Sequence, residues 1–214
     1  MKIDSIDRFI KRLIILSGLP GTTIFRKRLS PLGYTFKRLL LRKLVDQFQC
    51  KTFIETGTSY GETTNYIGRY CENVLSCEPD PVLFQIARHR FQNSTNIKLW
   101  NEPSETCLPD MIDHVVGRAL FWLDGHFQGR VINSALETPV LYELDSIKRL
   151  RGGGDVIVVD DVRLFDSLQN RLQSTFSLPY PTIDCTVRLL KEISPGNLIT
   201  ISGDCLLSMP SDKL

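Results

Sequence analysis

The residues that could do chemistry sit where short apolar runs end in acids. "FIETGTSYGETT" at 53–64 closes one run on Glu55, then places Gly57 and Gly61 four apart among Thr58, Ser59 and Tyr60. Glu78 ends "NVLSCE" 17 residues after Gly61, Asp124 ends "ALFWLD", and Asp160 and Asp161 end "DVIVVDD". Glycine permits a backbone approach that a Cβ would block, and the helix start that follows the loop presents free N–H groups. A carboxylate aimed into that loop repels a pyrophosphate and attracts a ligand that carries an amine. A carboxylate at the end of the next strand can take both hydroxyls of a ribose. Taken singly, each acid reads equally well as a cap or a turn residue. Five of them at one rim argue for a site that handles hydroxyl groups or cations.

Such a rim needs a sheet whose strands all end on the same side. From residue 51 the pattern alternates strand and helix. "KTFIET", "NVLSCE", "NIKLW", "ALFWLD" and "DVIVVDD" read as strands, the last nearly continuous in apolar residues, as a strand buried on both faces should be. "ETTNYIGRYC", "DPVLFQIARHRFQ", "SETCLPDMIDHVV" and "TPVLYELDSIKRL" read as the helices between and after them. Pro81 suits a first helical turn, Ser104 is a candidate cap, and "GGG" at 152–154 ends the last of these helices. "TVRLLKEI" and "LITISGDCLLSM" are expected to close the chain as a hairpin. Strands separated by helices imply right-handed crossovers. The expected fold is α/β, Rossmann-like and doubly wound. Its mostly parallel seven-stranded sheet carries a C-terminal antiparallel hairpin and a helical N-terminal extension. Ligands of such sheets lie beyond the carboxyl ends of the strands.

An amine and a ribose together describe S-adenosylmethionine (SAM), and the arrangement resembles the class I SAM-dependent methyltransferases. "ETGTSYG" looks like their first motif, and "LSCEPD", with Glu78 and Pro79, like the segment whose acid binds ribose. "NIKLWNEPSETCLPDMI" resembles the third-strand segment, in which residues near Glu102, Pro103 and Ser104 lie beside the adenine. "FWLDGHFQG" and "LRGGGDVIVVDDVRLF" resemble the fourth- and fifth-strand motifs, so the resemblance runs over roughly 50–165. It implies SAM contacts from Glu55, Gly57, Thr58, Ser59, Tyr60, Gly61, Glu78, Pro79, Pro103, Ser104 and Asp124.

A narrower resemblance concerns the metal-dependent O-methyltransferases of small molecules, including the macrocin O-methyltransferase-like group that acts on sugars. There an "LDGD" motif and a later "DD" pair give three carboxylates to a divalent cation. The matching residues are Asp124, Asp160 and Asp161, and the implied cation is Mg²⁺, which takes hard oxygen ligands and keeps open positions. Such an ion would lower the pKa of a coordinated substrate hydroxyl. The sequence departs at His126, which stands where that group has a second Asp assigned as general base. Histidine can serve as that base. The same position also suits a metal ligand or a structural histidine.

Composition bounds these readings. At 214 residues the chain suits one domain with a small extension, divided here as 1–48, basic and helical, and 49–214. No apolar run reaches the roughly 18 residues of a membrane span; "FIKRLIILSGL" is too short and carries charge, and "TTIFRKRLS" after it offers no small-residue cleavage site, so a signal peptide is not expected. Six cysteines show no CxxC pair and no metal-finger spacing, so reduced core thiols in a cytoplasmic protein are expected. Residues 1–51 carry 12 Lys/Arg against Asp4, Asp7 and Asp46, a balance of +9, while the rest of the chain balances at −7. Such a segment suits a solvated helix packed by its Leu/Ile face. It also suits a peripheral contact with an anionic membrane surface or a contact between copies of the chain. Nucleic acid ranks last, since no aromatic residues interleave the charges. Three functions stay open: a metal-dependent O-methyltransferase with a small-molecule hydroxyl acceptor, a metal-independent methyltransferase, and a non-catalytic SAM- or nucleotide-binding module. A nicotinamide-dependent dehydrogenase is disfavoured by the missing third glycine and the acid in the loop.

Overall fold

The computed structural model describes residues 30–125, 138–165 and 180–213. Its first element is helix α1, Ser30–Phe48. Strands and helices then alternate: β1 Thr52–Thr56, α2 Glu62–Ile67, β2 Asn73–Cys77, α3 Pro81–Arg90, β3 Ile97–Trp100, α4 Ser104–Asp113 and β4 Ala119–Leu123. After these come α5 Val140–Arg151, β5 Val156–Val159, a short 3₁₀ turn at Val162–Leu164, α6 Ile183–Ile193, β6 Asn197–Ser202 and β7 Cys205–Pro210.

The strands form one seven-stranded sheet in the order β3-β2-β1-β4-β5-β7-β6. β3, β2, β1, β4 and β5 are parallel, and β7 runs antiparallel to both β5 and β6. The order places the topological switch between β1 and β4: the chain winds outward from β1 through β2 to β3, then returns to β4 on the other side. The crevice for a ligand in such sheets opens at that point, beyond the carboxyl ends.

Successive strand residues feed opposite faces, as the period of two requires. Leu120 and Trp122 of β4 and Val156 and Val158 of β5 meet Leu40, Leu41, Leu44, Val45 and Phe48 of α1 on one face. Phe121 and Leu123 of β4 and Ile157 and Val159 of β5 meet α4, α5 and α6 on the other. Helix α1 is therefore one of the covering helices of the sheet, its apolar residues recurring at helical spacing.

Three expectations need correction. "TVRLLKEI" lies within α6, and the hairpin is made inside 197–210 alone. Its apolar residues Val187, Leu190 and Ile193 repeat at three-residue spacing, a helical face that the β-branched Thr186-Val187 pair disguised. Helix α2 ends at Ile67, capped by Gly68, so it is shorter than the stretch "ETTNYIGRYC". The N-cap of α4 is Pro103 and not Ser104, whose hydroxyl is engaged elsewhere. None of the six cysteines forms a disulfide, and five of them are buried. No helix of the described residues is long and apolar enough to cross a membrane.

Candidate functional site

The loop after β1 folds back onto the end of β2. The N–H groups of Gly57 and Thr58 both donate to the Cys77 carbonyl at 2.9 Å, and Gly61 N–H donates to Thr58 O at 2.8 Å. Three consecutive features need unusual backbone: φ is +91° at Gly57, +50° at Ser59 and +73° at Gly61. A Cβ at Gly57 would lie 2.9 Å from the Asp124 carbonyl oxygen, and one at Gly61 would lie 2.6 Å from the Phe91 ring. The glycines thus clear space first for the protein itself: Gly57 lets β1 and β4 close at the switch point, and Gly61 lets the loop seat on α3. Tyr60 projects outward, 51% exposed.

Glu55 lies beneath this loop. Its carboxyl is 1% exposed and accepts hydrogen bonds from Thr64 Oγ1 of α2 and, at 2.7 Å, from Ser76 Oγ of β2. Thr58 Oγ1 stands 2.6 Å from Ser76 Oγ. Since Ser76 donates its proton to Glu55, it accepts from Thr58, and a chain of hydroxyls ties the loop to the buried acid. Burial raises the Glu55 pKa to about 8; the Thr64 and Ser76 hydrogen bonds oppose that rise, while the charges of Asp124 and Glu78 add to it. Both hydrogen-bond partners of Glu55 are protein hydroxyls, which makes this acid a support of the loop.

Glu78 joins loop and strand end. One oxygen accepts from Ser59 N–H at 2.7 Å and the other from Asp80 N–H at 3.0 Å. Asn101, after β3, donates to the Glu78 carbonyl at 2.8 Å. The acid expected to face a ribose therefore stands beside the loop and is held by it. Pro79 follows it, half-buried, and Asp80 caps α3 through its side chain.

Asp124 follows β4, its N–H shared between the carbonyl and the hydroxyl of Thr56 at 3.2 Å each. Asp160 N–H donates to Leu123 O at 3.0 Å, and Asp161 N–H donates to the Asp160 side chain at 2.7 Å, with Asp161 in the left-handed region at φ +55°. These register contacts bring Asp124, Asp160 and Asp161 together, with one carboxylate oxygen from each lying within 4.8 Å of the others. The three converge, as the sequence led us to expect. They line a recess with Glu143, Phe165 and Tyr180.

Two residues without an assigned role meet the rim, Glu143 from within the recess and Lys37 from α1. Glu143 of α5 is 1% exposed and accepts from Ser104 Oγ at 2.6 Å. Burial raises its pKa to about 7 against the Ser104 and Thr56 hydrogen bonds, with the charges of Glu105 and Asp124 adding to the rise. Lys37 of α1 places Nζ 2.5 Å from Asp160 Oδ2 and 3.5 Å from Asp161 Oδ1. Burial would lower the Lys37 pKa, but the charge and hydrogen bond of Asp160 outweigh it and the net shift is upward. Burial and the Asp124 charge push Asp160 above the usual carboxylate range, and Lys37 pulls against them. Arg163 bonds both Asp161 and Asp204.

Glu143 carried a signal in the sequence: it shares the apolar stripe of Val140, Leu144 and Ile147, where an acid is out of place. Lys37 carried none, since 123 positions separate it from Asp160. His126 lies outside the described residues. As a cation site the rim is divided. Three hard carboxylates suit Mg²⁺ in chemistry, yet Asp160 and Asp161 already bond side-chain cations, so the arrangement as it stands does not fit a dication.

No family model and no curated protein matches this sequence. Solved structures do match over nearly the whole fold. An O-methyltransferase from Bacillus cereus in complex with SAH aligns at a TM-score of 0.55 and 16% identity, over 96% of this chain and 97% of the other. The N-methyltransferase NodS from Bradyrhizobium japonicum, in complex with S-adenosyl-l-homocysteine (SAH), aligns at 0.53 and 13%, over 85% and 88%. The O-methyltransferase TomG from Streptomyces achromogenes, in complex with SAM, aligns at 0.51 and 15%, over 82% and 80%. The chain has the Rossmann-like methyltransferase fold.

Proposed function

We propose that this protein is a SAM-dependent O-methyltransferase that acts on a hydroxyl of a small molecule such as a sugar or glycan-linked group. The observation that carries the reading is the junction of Ser59 N–H with Glu78 at the carboxyl ends of β1 and β2, beside an acid rim on the same edge. Glu78 would receive the ribose hydroxyls and Gly57–Gly61 the methionine portion, with Pro79 flanking the ribose and Pro103 and Ser104 the adenine. The rim would orient the acceptor hydroxyl toward the sulfonium methyl. In the transfer the oxygen lone pair forms the new bond to carbon, the carbon–sulfur bond breaks, and SAH leaves. The hydroxyl proton passes to a base, which by resemblance is His126. Neighbours named O-methyltransferases support the choice of oxygen as acceptor.

The macrocin-like resemblance supports a metal-dependent version, in which Asp124, Asp160 and Asp161 would hold Mg²⁺ and the ion would supply Lewis acidity to the hydroxyl. One observation favours the metal-independent version: the Lys37–Asp160 contact. The test is transfer from methyl-labelled SAM to a panel of hydroxylated glycosides, run with excess chelator and with added Mg²⁺. SAH release that survives the chelator supports the metal-independent version, and loss restored by Mg²⁺ supports the other. Failure of the protein to bind SAM at all would remove the function.

A further inference from the structure

We infer that Lys37 is the resident cation of the acid rim: its ammonium occupies the place a divalent ion would take and keeps such an ion off Asp160 and Asp161. The inference rests on the reading of this rim as the acceptor side of the active site.

Lys37 lies three and four residues before Leu40 and Leu41, which are 3% and 0% exposed, so it shares the face that α1 turns to the sheet. A lysine at the end of a buried stripe ordinarily runs its head group out to water. This one does the reverse, and its side chain is 17% exposed. The ammonium lies 5.9 Å from the ring centroids of both Trp122 and Tyr34, so apolar and aromatic surface flanks its path. The basic neighbours Arg38 and Arg42 point to ordinary partners, Glu62 and Asp46. Lys37 alone of the three is directed to the rim.

Asp160 is a hub whose oxygens are both engaged: Oδ1 takes Asp161 N–H at 2.7 Å and stands 3.5 Å from Cys205 Sγ, while Oδ2 takes Lys37. Asp161 bonds Arg163, which also bonds Asp204. Carboxylates packed this closely repel one another unless cations intervene, and here the chain supplies them. Mg²⁺ demands oxygens at about 2.0–2.1 Å in near-octahedral geometry. An ammonium at 2.5 Å from Oδ2 holds the oxygen that such an ion needs. Lys37 is thus a positioning residue. It orients Asp160, and it joins α1 to the catalytic edge.

The experiment titrates Mn²⁺ into the full chain, read by electron paramagnetic resonance and by calorimetry, for wild type, Lys37→Met, Lys37→Arg and Lys37→Met combined with Asp160→Asn. Methionine keeps the aliphatic stem and removes the charge. The expected result is no Mn²⁺ binding tighter than about 1 mM in wild type and Lys37→Arg. A gain of at least about tenfold is expected in Lys37→Met, and its loss in the double variant. Mn²⁺ should also raise the melting temperature of Lys37→Met and leave that of wild type unchanged. Wild type that binds Mn²⁺ in the micromolar range overturns the inference, and this holds even if the methionine variant does not fold. A folded Lys37→Met that gains no affinity overturns it too. A SAM titration on the same samples keeps the two ideas apart: lost SAM binding in wild type strikes the proposed function, whereas the Mn²⁺ result strikes only the role of Lys37.

Discussion

Replacing Glu78 is the sharpest perturbation of the cofactor side. The two carboxylate oxygens accept backbone N–H groups of Ser59 and Asp80, which orient the group, and a carboxylate so placed can take the hydroxyls of a ribose. The group is 6% exposed, so water does little to weaken those bonds. Hydrogen bonds to a charged group are worth about 1.5–3 kcal/mol, so Glu78→Ala should weaken SAM by about tenfold to a hundredfold. SAH carries the same ribose and should lose the same factor. Glu78→Gln should fall between, because its amide nitrogen meets one of the two N–H donors head-on. The orphaned N–H groups should also cost about 1–3 kcal/mol of stability. Calorimetry of SAM and SAH with thermal denaturation reads both effects. SAM affinity within twofold of wild type in a folded Glu78→Ala would refute the reasoning.

Other outcomes follow from the loop and the base. Folded Glu55 titrates near about 8 against an ordinary 4.5, so the native state keeps a proton that the unfolded chain releases, and stability falls as pH rises between those values. Glu55→Gln, neutral at every pH, should lose less stability from about pH 5 to pH 8 than wild type; parallel melting profiles would contradict the buried carboxyl. Gly57→Ala places a Cβ 2.9 Å from the Asp124 carbonyl at φ +91°, and should cost about 1–3 kcal/mol together with SAM affinity. An alanine variant as stable as wild type would show that β1 and β4 need no such approach. His126→Ala should slow methyl transfer by about 10²–10⁴-fold, the range for a lost general base, with SAM binding intact. Full turnover across neutral pH would remove that role.

The sheet and its acid-bearing rim were legible because each parallel strand is a short apolar run that stops on a polar residue, with a helix between. That pattern leaves little freedom in topology. The convergence of Asp124 with Asp160 and Asp161 followed from strand ends alone. Other features were not legible, for physical reasons. An eleven-residue amphipathic helix such as α6 presents a short apolar spacing that a strand can mimic. The space cleared by Gly57 belongs to the neighbouring strand, and a glycine in a sequence does not say which atom it admits. Glu55 and Ser104 turned inward to protein partners, a matter of side-chain direction that no spacing encodes. Lys37 reached the rim because α1 packs its apolar face on the sheet, a tertiary event that turned one residue of a basic run into a counter-ion.

The most direct test of the central claim is a crystal structure of the protein with SAH. The account predicts SAH at the carboxyl edge of β1 and β2, with the ribose hydroxyls within about 3.2 Å of Glu78, the amino acid portion along Gly57–Gly61, and the sulfur toward Asp124 and Asp160. Crystals that exclude SAH at saturating concentration, or that place it away from Glu78, would contradict it.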